Sequence, residues 1–230
     1  MKKLVFGLIA TVMLSVSSFG QDFDKQGLAH NEALKNILMS YDNTLTKSNV
    51  FNKTMEQLKK QMSAEEFNKM FVFKNYSDPT EMLNELYANK TISSELFSLV
   101  SEDILVLQNT TNSKEVEDFV TIKLNEERKL SESDEKIYLS YLSVAKHSSN
   151  FWDPNEENGI KYVFFKDEVF ILSKSGKGPD SVLEYKNNSK KINWHKVFIC
   201  DMIADLCSGF NALVAAGASA ISAVNQSNMP

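Results

Sequence analysis

From Leu206 to Val224 the chain runs nineteen residues without a charge, and alanine, serine and glycine supply most of them. A helix that is apolar or small on every side has no face to show to water. It must be surrounded by protein or enter lipid. Ile199, Ile203, Leu206, Phe210, Leu213, Gly217, Ile221 and Val224 recur at steps of three and four, which predicts one long helix over 192–226, capped by Asn193 and starting near Trp194. Small residues on its other faces allow close backbone approach, as in tight bundles and between helices in lipid. Three roles fit: the central helix of a bundle, a membrane-contacting tail over 206–224, or a surface for self-association or docking. The segment is about long enough to span a bilayer, but its Ala, Ser and Asn content makes it weakly hydrophobic. Asp201 and Asp205 stand just before it, at i and i+4, where the positive end of the helix dipole favours negative charge.

The opposite end sets the compartment. Lys2 and Lys3 precede an apolar run from Leu4 to Val16, and Ser18-Phe19-Gly20 then supplies small residues two apart. This is the pattern of a secretory signal peptide over 1–20, with the working chain beginning near Gln21. The apolar run is short for a retained span, and no cysteine near Gly20 offers a lipid anchor. The expected location is exported, periplasmic or extracellular.

The rest is built from short amphipathic segments. With 8 Gly and 4 Pro in 230 residues, disorder and an all-β sandwich are both disfavoured. Leu34, Ile37, Leu38, Tyr41 and Leu45 predict a first helix from about Asp24 into the low forties. Ser63 and Glu66 form a capping box before Phe67, Met70 and Phe71. Asp78-Pro79 is a helix start before Met82, Leu83, Leu86 and Tyr87. Ser93 or Ser94 precedes Phe97, Val100, Ile104 and Leu107. Ser113 opens a helix with Val116, Phe119 and Val120, and a polar break at Ser131–Asp134 precedes Ile137, Tyr141, Val144 and Ala145. The pattern changes after Phe151-Trp152. Residues 160–173 fit a small β-hairpin or a helix, and their β-branched and aromatic content favours strands. The expected fold is mainly α: a helical domain over 21–152, a loop with a hairpin element over 153–191, and the C-terminal apolar helix over 192–226 packed on the bundle.

Catalytic and metal motifs are sparse. A net charge of −5 without a basic, aromatic-laced patch argues against nucleic acid as a partner. His30, His147 and His195 match no metal-ligand spacing, and Ser175-Gly176-Lys177-Gly178 lacks the Ser/Thr of a phosphate loop. Cys200 and Cys207, seven apart on one helix, would lie about 10 Å apart, too far for a disulfide. Buried thiols acting as small apolar residues are the expectation. No cofactor, metal or catalytic residue is assigned, and the expected role is non-enzymatic, through a protein partner or a surface.

Three patches resemble a group of small exported proteins of Bacteroidetes-type bacteria. Gly27, His30, Asn31 and Leu34 match a G-x-x-H-N-x-x-L opening. Ser143 to Trp152 is similar to an A-x-x-S-S-x-Y-W stretch, with Phe151 in place of Tyr. Lys191-Ile192-Asn193-Trp194-His195-Lys196-Val197, followed by Asp201, resembles a K-I-N-W-x-K-V ending, with Cys200 where Ala is common. The resemblance implies export and a helical fold and transfers no activity. It makes His30, Asn31 and Trp194 the candidates for a special role, with a structural His30–Asn31 pair as the favoured alternative.

Overall fold

The computed structural model describes residues 23–41, 45–69, 79–153, 160–166, 169–174, 194–208 and 211–226. The protein is mainly helical. Its elements in order are α1 (Phe23–Met39), α2 (Val50–Gln61), α3 (Ala64–Lys69), α4 (Pro79–Ala88), α5 (Ser94–Leu107), α6 (Ser113–Asn125), α7 (Glu132–Trp152), β1 (Ile160–Lys166), β2 (Val169–Lys174), α8 (Trp194–Ser208) and α9 (Ala212–Gln226). The strands pair antiparallel, Val163 opposite Leu172 and Phe165 opposite Phe170.

Four helices close a ring. α1 packs on α7, α7 on α8, α8 on α9, and α9 back on α1. α4 and α5 cover α8 from outside, α2 covers α9, and α6 covers α7. The two C-terminal helices therefore lie inside the shared core rather than against its surface. Along α9, every residue from Leu213 to Val224 is buried, the serines included. No helix among the described residues is long and apolar enough to cross a membrane.

Local chemistry starts and stops the helices where side chains can replace missing backbone partners. Ser93 accepts from the Leu96 amide at 3.1 Å, and Ser131 accepts from Asp134 at the same distance. α6 opens at Ser113, as expected, and its cap is the residue before: Asn112 accepts from Glu115 at 3.0 Å, while the Glu115 carboxylate reaches back to the Thr111 amide at 2.6 Å. Ser113 is instead a buried first residue, its amide donating to the Asp153 carboxylate at 2.8 Å. The end of α7 thus supplies an anion to the start of α6, where the dipole favours one.

Two expectations need correction, and one helix, α2, was not expected at all. The single helix over 192–226 is divided, because Asn211 caps a second start, its Oδ1 accepting from the amides of Leu213 and Val214 at 3.1 Å each. The uninterrupted apolar seam concealed that cap. The first helix ends at Met39, where the Ser40 and Tyr41 amides turn back to Ile37 and Leu38, and Leu45 is buried outside it. α2 lacks a broad apolar stripe. Only Val50, Thr54 and Leu58 are buried along it, at i, i+4 and i+8. The expected caps Asp78 and Asn193, and Met70 and Phe71, lie outside the described residues. Cys200 is a buried thiol rather than half of a disulfide.

Candidate functional site

The G-x-x-H-N-x-x-L residues stand at i, i+3, i+4 and i+7, so α1 presents all four on adjoining faces of its surface. Gly27 meets α7 so closely that a Cβ there would lie 2.5 Å from the Ser143 carbonyl oxygen and 2.6 Å from His147 Cδ2. Its amide donates to Ser143 Oγ at 3.0 Å. Asn31 donates to the His147 carbonyl at 2.8 Å and turns its own Oδ1 toward His30 Nδ1, 3.1 Å away. That orientation places a hydrogen on Nδ1. Leu34 is fully buried one turn on. Glycine is required here because a backbone carbonyl, as well as the His147 side chain, occupies the space.

His30 is fully buried and reaches across the ring to α9, its Nε2 2.9 Å from Ser219 Oγ. Ser219 also lies 3.0 Å from the Ala215 carbonyl of the preceding turn. The residues expected as a special pair, His30 and Asn31, are thus brought together and tie α1 to α7 and α9. Trp194 is the first residue of α8, and its side chain lies outside the described residues, as does that of His195. His147 is on the outer side of α7, its Nε2 2.8 Å from Asp24, which Lys146 also meets at 2.9 Å. Against the desolvation of partial burial, these two hydrogen bonds hold the Asp24 carboxyl below the usual range.

Sequence reasoning missed the centre of the site. Asp201 and Asp205 are not at the start of a helix: α8 begins at Trp194, so they lie two turns and more inside it, both buried. The dipole cannot support them at that depth. Donors from other helices do. Asp201 Oδ2 accepts from Trp152 Nε1 at 2.8 Å and from the Ser148 hydroxyl. Asp205 accepts from Gln26 Nε2 at 2.8 Å and from the Ser140 hydroxyl. The earlier aspartate meets the later residues of α7, so α7 and α8 run antiparallel. Asp201 Oδ1 has no hydrogen-bond partner among the described residues. Burial pushes the Asp201 carboxyl up, against the pull of His30, Ser148, Ser219 and Trp152. Burial pushes Asp205 up as well, against Ser140, Gln26 and His30. The spacing of the two aspartates was visible. Their donors, on α1 and α7, are remote in the chain and left no local signal.

Ser219, His30 and Asn31 form the chain hydroxyl–imidazole–amide that could activate a nucleophile. Their surroundings oppose that use. Ser219 is fully buried inside α9, its neighbours Ala218 and Ala220 are buried too, and the helix interior has committed its amides to its own carbonyls. No oxyanion donor faces it among the described residues, and no group of His, Cys, Asp and Glu among them could hold a metal ion. What the arrangement does is join α1, α7, α8 and α9 through buried polar side chains. Comparison of the chain with protein-family models, with curated proteins and with solved structures returns no match.

Proposed function

We propose that the chain acts outside the cytoplasm as a non-enzymatic helical protein that binds a protein partner. The observation that carries this reading is where apolar surface is spent and where it is left. The small-residue segment is consumed inside the ring, with α9 buried from Leu213 to Val224. Large apolar side chains stay exposed elsewhere: Leu105 at 64% and Val106 at 53% on α5, Ile122 at 61% on α6, and Met39 at 65% and Leu28 at 55% on the outward side of α1. Exposed apolar residues of this size are available to a partner. In this reading α1 to α9 form a helical bundle, with β1 and β2 as a small hairpin appended to it. The signal-peptide pattern over 1–20 supports export, and the resemblance to exported Bacteroidetes-type proteins supports it from other residues.

The test is co-purification of the tagged chain from periplasmic and medium fractions, beside a Leu105→Lys, Ile122→Lys variant of unchanged circular dichroism. A partner retained by the parent chain and lost from the variant supports binding through α5 and α6. Dye release from lipid vesicles by the folded chain beginning at Gln21, with no partner captured, would replace this reading with a membrane-active one through residues 206–224.

A further inference from the structure

The buried group around α8 is not needed for contacts made on the outer helices. Asp201 and Asp205 face donors that are neutral: Ser140, Ser148, Trp152 and Gln26. His30 is the basic side chain that acts on both. α9 carries no charged residue from Ala212 to Gln226. On α7, Lys146 and His147 are engaged with Asp24 on the outer side. On α5, Asp103 is engaged with Lys123 and Tyr138, and Glu95 and Glu102 are exposed. Glu81 and Glu85 of α4, Lys53, Glu56, Lys59 and Lys60 of α2, and Lys196 of α8 are exposed or half-buried. Two acids and one base are thus enclosed together. With a neutral imidazole and two carboxylates, the three become electrically neutral only on taking up two protons among them.

We propose that Asp201, Asp205 and His30 form a proton-held latch that clamps α8 and α9 to α1 and α7 in mildly acidic surroundings and loosens as the pH rises. Ser219 Oγ lies between His30 Nε2 and the Ala215 carbonyl, 2.9 and 3.0 Å away, so its hydroxyl can turn to either without moving the backbone. The sign follows from burial. Two dry carboxylates beside a neutral imidazole are costly to keep from water, whereas the protonated group is not. Carboxyls raised by burial bind more protons in the folded chain than in the unfolded one. Their stabilising contribution is therefore complete below the ordinary aspartate range and is lost as the pH climbs through the folded value. Carboxylates held low, such as Asp24, Glu95 and Glu132, act in the opposite direction, and their contribution is complete above the ordinary carboxylate range.

The experiment follows amide hydrogen exchange over residues 194–226, corrected for the intrinsic pH dependence of exchange, together with the urea midpoint, from about pH 5 to about pH 8. In the parent chain, opening of this segment should increase with pH, by up to about tenfold per pH unit for each proton released. Asp201→Asn and Asp205→Asn keep the acceptor oxygen and remove the charge, so each should flatten the dependence; Asp24→Asn should leave it. A parent midpoint that is constant or rises across this range overturns the latch, as does an equal fall in both Asn variants. Should those variants fail to fold, the carboxyl carbon resonances of Asp201 and Asp205 in the parent chain decide. At least one must remain protonated above the ordinary range of about 4; two ordinary titrations overturn the proposal.

Discussion

Asp103 and Asp201 are both fully buried, and both accept from side chains of α7, yet they are compensated differently. Asp103 accepts from the Tyr138 hydroxyl at 2.7 Å and lies 3.2 Å from the Lys123 ammonium, itself 17% exposed and also paired with Glu126. Arg128 stacks over the Tyr138 ring at 4.9 Å and pairs with Glu135, closing the edge of that site. Burial pushes the Asp103 carboxyl up against these partners, and desolvation resists the Lys123 charge while Asp103 and Glu126 restore it. A long cationic stem can lie along the outer helices with its head near water. Among the described residues no lysine or arginine meets Asp201 or Asp205, which are held by hydroxyls, an indole and an amide, with His30 beside them. Near the surface a buried acid has a lysine beside it. At the centre it has neutral donors, and in the proposed latch it is a proton that offsets its charge.

Lys123→Met would break this difference most strongly. It leaves Asp103 buried with Tyr138 alone and should cost about 3 kcal/mol near neutral pH, as expected for removing one partner of a buried pair. The loss should shrink in acid, where Asp103 can take up a proton, so Asp103 would come to resemble Asp201. Urea titrations at two pH values check both the size and its sign, and a loss independent of pH would contradict the comparison.

Gly27→Ala acts on the inner region alone. The added Cβ strikes the Ser143 carbonyl, and overpacking of this kind costs about 2 kcal/mol. Hydrogen exchange should rise in α1 and α9 and stay unchanged around Asp103 in α5. A uniform rise would mean that the two regions open as one unit.

Trp152→Phe sharpens the contrast with a smaller change. It keeps most of the buried ring and deletes one donor to Asp201, which should cost about 1 kcal/mol. A charged acceptor loses more than a neutral one, so the cost should grow with pH if Asp201 carries its proton in acid. Thermal unfolding across that pH range measures it.

Much of the helical layout is legible in the amino-acid order, because it depends on neighbours in the chain. Ser93 and Ser131 cap helices from three residues away, and the seams ending at Leu107 and Val120 follow the helical repeat. Gly27, His30, Asn31 and Leu34 are legible as a spaced set, though not the reason for it: a backbone contact, a bridge and a core position on one helix. α2 was hidden because its burial comes from remote partners: Leu58 packs on α9, where Gly217 allows its side chain to approach, and Thr54 meets the Tyr41 hydroxyl. The break before α9 was hidden because Asn211 sits in an otherwise apolar pattern that suits one helix or two.

By itself the amino-acid order determined that most of this chain must be amphipathic helix and that the uncharged segment after Leu206 must leave water. Periodicity and capping act over a few residues and need no partner. Only the tertiary structure decided that the C-terminal stretch forms two helices, α8 and α9, that complete a ring with α1 and α7, and that Asp201 and Asp205 are buried within it. Their donors stand 49, 53 and 65 residues away on α7 and 179 residues away on α1, and such contacts exist only once the ring has closed.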